Sequence, residues 1–297
     1  MTSKTKALLT VTLAYVVTAV LGILTYQWAS GSTWVRVLYA DIAMTVWIYA
    51  VSVFTRNSSS YDPFWSLIPV YFVGGLMLIE PQVTTPMWTK LIVSLVVTLW
   101  GLRLTWNWAR GWPGWEHEDW RYVDFRSSHG RLFEFTNFFG IHLVPTLMVY
   151  LGCLPFFWIF GHFDGLTSPQ AVSLSPAILM SVGVAISFAG VAFEWVADNA
   201  LADFRKRPSP KSTDILQTGI WGVIRHPNYL GELLFWIGIA VSGLAAGAPL
   251  WSVAGAVVMI VLFVFISIPL KERRMEKGRP DWAEHRRRVR ALIPGVY

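Results

Sequence analysis

Charged residues are scarce in this 297-residue chain. They make up 14% of it, whereas an ordinary soluble domain has about 25%. Hydrophobic residues account for 54%, and the mean hydropathy is +0.48. This balance excludes a soluble globular protein and predicts an integral membrane protein.

Cysteine is almost absent, and two common site patterns are missing. The single cysteine, Cys153, excludes an internal disulfide and a cysteine-based zinc site, and its apolar surroundings indicate a small buried residue. The histidines form no metal-binding pattern, so we expect no metal. The chain has no G-x-G-x-x-G turn and no room for a Rossmann domain. Any nucleotide must therefore bind among helices and loops.

Long hydrophobic runs are abundant, and a membrane span needs about 20 apolar residues. The first run is too long for a signal peptide and has no A-x-A-like cleavage site, so we expect a retained helix. The third and seventh runs are short, and the last two could form a tight hairpin. We predict one all-α domain over residues 1–297, a polytopic transmembrane bundle of seven or eight helices. The eight candidate runs are 7–28, 33–55, 63–80, 88–109, 136–160, 174–197, 229–246 and 250–270.

Lysine and arginine are divided unevenly between the two sides of this bundle. With eight spans, 22 of the 24 fall on the side that holds both termini and the loops 56–62, 103–131 and 198–228. Arg36 and Lys90 fall on the other side. The positive-inside rule makes the first side cytosolic. Topology and anionic lipid explain the net charge of +6, so we expect no nucleic-acid partner.

Two polar groups interrupt the N-terminal half. In YDPFWS, Asp62 precedes Pro63, which suits either a helix N-cap or a protonated carboxylic acid that binds a substrate carbonyl. In WGLRLTWNWARGW, the spacing of Arg103, Asn107 and Arg110 puts them on one helical face. These arginines either snorkel at the membrane boundary or serve a site.

The C-terminal half carries three more polar groups. Glu194, Asp198 and Arg205 share the face of a helix that is expected to continue to Lys206 before Pro208 and Pro210. They form either an exposed, salt-bridged helix end or part of a site. The segment IRHPNYLGE begins an apolar helix, where free N–H groups attract phosphate, unless it only anchors the helix at the interface. Its hydrogen-bonding side chains are Arg225, His226, Asn228, Tyr229 and Glu232.

The basic tail KERRMEKGRPDWAEHRRRVRALIPGVY, which includes Arg274, either lies on anionic lipid or closes over a multiply charged ligand. All these polar groups fall at the expected cytosolic side. An array of arginine, asparagine and acidic residues there suits a phosphate-bearing cofactor. The apolar bundle behind it suits a lipidic substrate that enters from the bilayer.

The segment from Glu194 to Glu232 resembles the steroid 5-alpha-reductase family, in particular its bacterial branch. The resemblance rests on Asp198, the Leu201–Arg205 stretch, Gly219 and HPNYLGE, with RALIPGVY at the end, and residues 194–297 carry it best. It implies a membrane-embedded reductase that transfers a hydride from NADPH to the carbon–carbon double bond of a hydrophobic enone or related lipid.

The resemblance also implies roles for individual residues. Asp62 matches the acid that acts on the substrate carbonyl. The tyrosine that usually partners this acid falls near Trp100, and Tyr61 is a possible substitute. Trp100 offers only an N–H donor. The cofactor-binding residues would be Arg103, Asn107, Arg110, Glu194, Asp198, Arg205, Arg225, His226, Asn228, Tyr229, Glu232 and Arg274.

Two alternatives stay open. RHPNYLGE and the basic tail also resemble isoprenylcysteine and phospholipid methyltransferases, which use S-adenosylmethionine. The polar groups could also be caps and lipid anchors of a protein without enzymatic activity. We expect a bacterial inner membrane location, with the active site facing the cytosol and no obligate protein partner.

Overall fold

The computed structural model describes residues 2–170, 175–208, 211 and 213–294. These residues form helices and no β-strand, apart from one isolated bridge between Ile224 and Arg290. The predicted all-α class is therefore confirmed. The helices are α1 (Ser3–Trp28), α2 (Thr33–Thr55), α3 (Phe64–Leu78), α4 (Met87–Gly111), α5 (Trp120–Cys153), α6 (Pro155–Phe160), α7 (Pro176–Lys206), α8 (Pro227–Ala245), α9 (Leu250–Gly278) and α10 (Trp282–Arg288).

Seven of the helices in the described residues are long and apolar enough to cross a membrane: α1, α2, α4, α5, α7, α8 and α9. The chain is therefore an integral, polytopic membrane protein. The count of seven or eight depends on α3, whose 15 residues span only about 22 Å. Just before α3, Asn57 contacts the Trp115 carbonyl (2.9 Å); just after it, the Gln82 N–H contacts the Gly161 carbonyl (2.9 Å). The segment from Trp115 to Gly161 contains α5 and α6 and crosses from one end of the bundle to the other. Because α3 connects the same two places, α3 is a short eighth passage.

Several predicted bounds need correction. The run 136–160 belongs to a helical segment that begins at Trp120, contains a π-helical part and is interrupted before Pro155. The last two runs are separate long helices rather than a tight hairpin. Helix α7 does continue to Lys206, as predicted. Pro210 and the last three residues of RALIPGVY lie outside the described residues.

The two ends of the bundle differ in charge. At one end, called the basic end, Lys4 donates to the Arg110 carbonyl (3.0 Å), the loop before α3 meets the loop before α5, and the loop before α8 meets the C-terminal part of α9. At the opposite end the Thr33 N–H donates to Asp164 (2.6 Å), and Arg36 donates to the Tyr26 carbonyl (2.7 Å). The structure thus gathers at one end the loops that the sequence assigns to the cytosol.

Helices α7 and α8 pack with their backbones in close approach, and they position the polar residues described below. Their contact is lined by glycines that face each other: Gly183 and Gly190 on α7, Gly231 and Gly238 on α8. A Cβ atom added to Gly238 would lie 2.5 Å from the Gly183 carbonyl oxygen. Small residues permit such approach in membranes, where helix association depends on van der Waals packing.

We expect Gly238→Ala to lower the free energy of unfolding by about 1–3 kcal/mol, because the added methyl group forces the two helices apart. Thermal unfolding in detergent measures the loss. Gly75→Ala is the matched control, since an added Cβ atom at Gly75 meets nothing within 4 Å. Equal melting temperatures for the two variants would contradict the close packing of α7 and α8.

Candidate active site

A buried ion cluster joins α4 to α7 near the basic end. Arg103 is 5% exposed and pairs with Glu194 and with Asp198, whose Oδ2 lies 2.5 Å from Nη1 of Arg103. Glu194 and Asp198 are themselves buried. The face predicted from the spacing along α4 therefore meets the face predicted along α7. Because an isolated charge is very costly in a membrane interior, each group in this cluster depends on its partners.

Amide side chains extend the cluster toward α8. Asn107 Nδ2 donates to Asp198 Oδ2 (3.2 Å), and Asn228 Nδ2 donates to the other oxygen of Asp198 (3.5 Å). Arg110 donates to Asn107 Oδ1 (2.8 Å) and to Asn199 Oδ1 (2.8 Å). Asp198 is thus the point at which α4, α7 and α8 meet.

Glu232 lies one turn deeper on α8 and is held by two indoles. Trp100 Nε1 donates to one carboxylate oxygen (3.0 Å) and Trp236 Nε1 to the other (2.9 Å). The Trp100 ring is fully buried and stacks on Phe235, with ring centroids 4.3 Å apart. Trp100 therefore uses its N–H to hold Glu232 in place.

A partly open pocket with a cavity volume of about 70 Å³ lies at the basic end between α7, α8, α9 and α10. We call it the basic pocket. Asn228, which lines this pocket, also contacts Asp198 of the buried cluster, so the pocket adjoins that cluster. Its charged and polar lining includes Arg205, Arg225, Asn228, Tyr229, Lys271 and Arg279.

Arg225 and His226 hold the wall of the basic pocket in place. Arg225 Nε donates to Glu272 Oε1 (2.8 Å), and the same oxygen accepts from His226 Nε2 (3.1 Å). The backbone N–H groups of Arg225 and His226 donate to the carbonyls of Arg290 and Ala291 (2.8 and 3.0 Å). Burial lowers the pKa of His226, so a neutral ring donates to Glu272 near pH 7. These bonds fix the chain that follows α10 against the start of α8.

Three cations of the tail differ in position. Lys271 on α9 and Arg279, which follows the last residue of α9, line the basic pocket, and neither was singled out from sequence. Arg274 is exposed and lies over the ring of Trp120 (4.3 Å), outside the pocket lining. Lys271 and Met275 lie one turn apart on α9 and both line the pocket, and the chain leaves the helix at Gly278, just before Arg279.

Asp62 accepts a hydrogen bond from the hydroxyl of Tyr122 (2.6 Å) at the start of α5, and Arg121 lies 3.6 Å away. Asp62 is not an N-cap, because α3 begins at Phe64, after Pro63, without a side-chain cap. Burial raises the pKa of Asp62 to about 7, although Arg121 and the Tyr122 hydroxyl oppose the shift. The carboxyl group is therefore poised to be protonated near neutral pH, and Tyr122 is a partner that sequence reasoning missed.

Tyr61 lies apart from Asp62 in spite of their adjacency in the chain. Its hydroxyl lies 3.0 Å from Thr146 Oγ1 on α5, and its ring stacks on Phe64 (5.3 Å). The short helix Ser58–Tyr61 turns this side chain into the core between α2 and α5. The structure therefore does not bring Tyr61 to the carboxyl group of Asp62.

The raised pKa of Asp62 predicts how stability depends on pH. Between about pH 4 and pH 7 the folded protein keeps a proton at Asp62 that the unfolded chain has released, so the free energy of unfolding falls as pH rises through this window. In Asp62→Asn this contribution disappears. Melting temperatures measured across the window should therefore fall more steeply in the native protein than in Asp62→Asn. Parallel curves would show that Asp62 titrates normally.

A family model described as "Protein of unknown function (DUF1295)" matches residues 48–289, which include every residue of the basic pocket and the buried cluster. The chain belongs to the DUF1295 family. The uncharacterized protein C594.04c of Schizosaccharomyces pombe is 25% identical over 229 residues, which cover 69% of this chain and 64% of that protein. The lamin-B receptor of Drosophila melanogaster is 24% identical over 131 residues, 42% of this chain and 17% of the receptor.

This chain thus spans less than two thirds of the length of the two curated relatives. No solved structure matches it. Membership of DUF1295 agrees with the membrane class and does not specify an activity.

Proposed function

We propose that this protein is a membrane-embedded reductase that uses NADPH to reduce a carbon–carbon double bond in a hydrophobic enone or related lipid. The observation that carries the proposal is the basic pocket, which places four cationic side chains beside a buried cluster of acids and amides. DUF1295 is associated with steroid 5-alpha-reductase-like membrane proteins, which supports the same reading.

The chemistry of the basic pocket fits the phosphate groups of NADPH. Its cations are Arg205, Arg225, Lys271 and Arg279, and Glu272 already neutralises Arg225. Arg205 and Lys271 are therefore our candidates for binding the pyrophosphate and the 2′-phosphate, with Arg279 beside them. Phosphates carry several negative charges, which explains why so many cations converge on one pocket.

The inner residues suit the uncharged parts of such a ligand. Asn228 lies between the pocket and Asp198, where it can orient an amide or a ribose hydroxyl. Glu232 and its two tryptophans form a rigid floor behind it. Holding the reacting groups in a fixed orientation contributes much of the rate enhancement in reactions of this kind.

NADPH, when bound, supplies the hydride. In our proposal the protonated Asp62, with Tyr122 as its hydrogen-bonded partner, donates a hydrogen bond to the substrate carbonyl. This polarisation makes the β carbon electrophilic, and a proton from water or a nearby donor completes the α carbon. The pair replaces the tyrosine that is missing at Trp100.

The location follows from the same arrangement. The positive-inside rule places the basic end in the cytosol, where NADPH is available. The apolar helices behind the pocket then give a lipid substrate access from the bilayer. We propose the inner membrane of a bacterium as the site of action, on the strength of the bacterial branch that the sequence resembles.

An S-adenosylmethionine-dependent lipid methyltransferase is the second candidate, and the segment RHPNYLGE favours it. S-adenosylmethionine carries a single carboxylate and no phosphate, so it leaves most cations of the basic pocket unused. The pocket therefore favours the dinucleotide.

Ligand-induced stabilisation distinguishes the candidates. We expect NADPH to raise the melting temperature of the detergent-solubilised protein, and free ligand at tenfold its Kd contributes about 1.4 kcal/mol. S-adenosylmethionine should produce no shift. A shift with S-adenosylmethionine alone would establish the methyltransferase, and no shift with either ligand would favour a protein without a cofactor.

A further inference from the structure

A second buried polar network lies between α2 and α5, where the proposed reductase site has no residue. Thr45 Oγ1 donates to Thr146 Oγ1 (3.0 Å), and the Tyr61 hydroxyl lies 3.0 Å from the same Thr146 oxygen. All three side chains are at most 2% exposed. Together with Asp41 and His142 they form what we call the polar column.

Asp41 and His142 are buried proton acceptors without partners. Both are 0% exposed, and neither carboxylate oxygen of Asp41 has a hydrogen-bond partner among the described residues. His142 Nδ1 lies 2.8 Å from the Asn137 carbonyl, so Nδ1 carries the hydrogen. Nε2 is then left with a lone pair and, within the same described residues, no partner.

The helical spacing puts these two groups on opposite sides of the threonine pair. Asp41 precedes Thr45 by one turn of α2, and His142 precedes Thr146 by one turn of α5. Because α2 and α5 run in opposite directions across the membrane, each acceptor lies about 5.4 Å along the axis from the pair, one toward each end. The hydroxyls therefore lie between two buried proton acceptors.

Polar groups continue from the column toward both ends of the bundle. Toward the basic end, Asn137 accepts from Ser58 Oγ (2.9 Å) and donates to Glu134 (3.1 Å), whose carboxylate is exposed. Toward the opposite end, the hydroxyl of Tyr150 donates to the Trp34 carbonyl (2.5 Å). The titratable groups nearest to Asp41 are Tyr61, Tyr150 and Cys153.

Keeping such groups in a membrane interior requires an explanation. A buried polar atom without a partner loses the hydrogen bonds that it made to water, and packing alone would be served better by an apolar residue. Ionisable residues inside membrane helices are rare and recur in proton relays. Neither group belongs to the basic pocket or to the Arg103 cluster.

We propose that the polar column is a proton path between the two ends of the bundle. In this proposal a proton from the basic end binds Nε2 of His142, passes through the hydroxyls of Tyr61, Thr146 and Thr45 by exchange of O–H bonds, and reaches the carboxylate of Asp41, with water bridging the hydroxyls to Nε2 at one end and to the carboxylate at the other. It leaves toward Tyr150 and the opposite end. One proton is taken up and one is released, and no electron is transferred.

Proton flux into lipid vesicles tests this inference without any cofactor. The full chain is reconstituted with a trapped pH-sensitive dye, and potassium with valinomycin balances the charge. We expect native protein to dissipate an imposed pH gradient about tenfold faster than empty vesicles, and Asp41→Asn to return the rate to that of empty vesicles. Asp41→Glu should retain part of the flux.

Thr18→Val is the matched control, because Thr18 is equally buried and its hydroxyl, among the residues that the structure describes, bonds only within α1, to the Ala14 carbonyl (2.9 Å). It should leave the flux unchanged, whereas Thr146→Val should reduce it. Native vesicles no leakier than empty ones, or Asp41→Asn vesicles as leaky as native, would overturn the proposal. Melting temperatures exclude misfolding as the cause, since Asp41→Asn removes no hydrogen bond that the structure describes at the side chain.

Discussion

Arg103→Met should lower the free energy of unfolding by about 3–5 kcal/mol, the largest effect expected from a single substitution outside the helix–helix packing. Arg103 is the direct ionic partner of two buried acids, Glu194 and Asp198. Removing it leaves two carboxylates unpaired in an apolar interior. Thermal or denaturant unfolding of the detergent-solubilised protein measures the loss.

A triple variant separates lost charge pairing from lost packing. Adding Glu194→Gln and Asp198→Asn to Arg103→Met removes the stranded charges, so most of the stability should return. Arg110→Met serves as the matched single control, because Arg110 is only half-buried and binds amide oxygens rather than Glu194. If the triple variant were no more stable than Arg103→Met, the ion cluster would not be the source of the effect.

Arg205→Ala should raise the Kd for NADPH by about 10- to 100-fold, since a hydrogen bond to a charged group contributes about 1.5–3 kcal/mol. Arg205 lines the basic pocket, and no acidic side chain in the described residues forms a salt bridge with it, so it is available to a phosphate. Isothermal titration of the detergent-solubilised protein measures the affinity.

The control for this prediction comes from the same end of the molecule. Arg274→Ala removes an arginine of the same charge that lies over Trp120, outside the pocket lining. Its affinity for NADPH should stay within about twofold of the native value, as expected for a screened surface charge. Equal losses in the two variants would show that net charge, and not the pocket, governs binding.

The sequence predicts helical faces well and the contacts between loops poorly. Arg103, Asn107 and Asp198 could be placed on helical faces because helical periodicity can be read from a short stretch of sequence. Charged and polar side chains are costly in lipid, so these faces turn toward the interior of the bundle, where they meet. Glu232 was also found, although its two indole donors were not. Trp236 lies one turn after Glu232 on α8, whereas the contact from Trp100 depends on how α4 packs against α8, which no local pattern encodes.

The errors have a common physical origin. Tyr61 and Asp62 are neighbours in sequence, but the turn of Ser58–Tyr61 sends their side chains in different directions. Tyr122 reaches Asp62 from a separate helix 60 residues later, so spacing gave no signal for it. Arg274 was chosen for its charge, whereas the packing of the C-terminal part of α9 against the start of α8 places Lys271 and Arg279 at the pocket.

The polar column shows that the sequence also fails to predict which buried polar atoms have hydrogen-bond partners. One ring nitrogen of His142 is hydrogen-bonded to the Asn137 carbonyl, as is usual for a histidine in a protein core. The other nitrogen, and the carboxylate of Asp41, lack partners among the described residues. Only the three-dimensional structure shows which of these buried polar atoms has a hydrogen-bond partner and which has none.

Cryo-electron microscopy of the protein in lipid nanodiscs with NADPH tests the central claim most directly. Our account predicts density for the phosphates in the basic pocket, within hydrogen-bond distance of Arg205 and Lys271, with the nicotinamide directed past Asn228 into the bundle. Density for the dinucleotide at any other place, or an unaltered basic pocket at saturating NADPH, would contradict it.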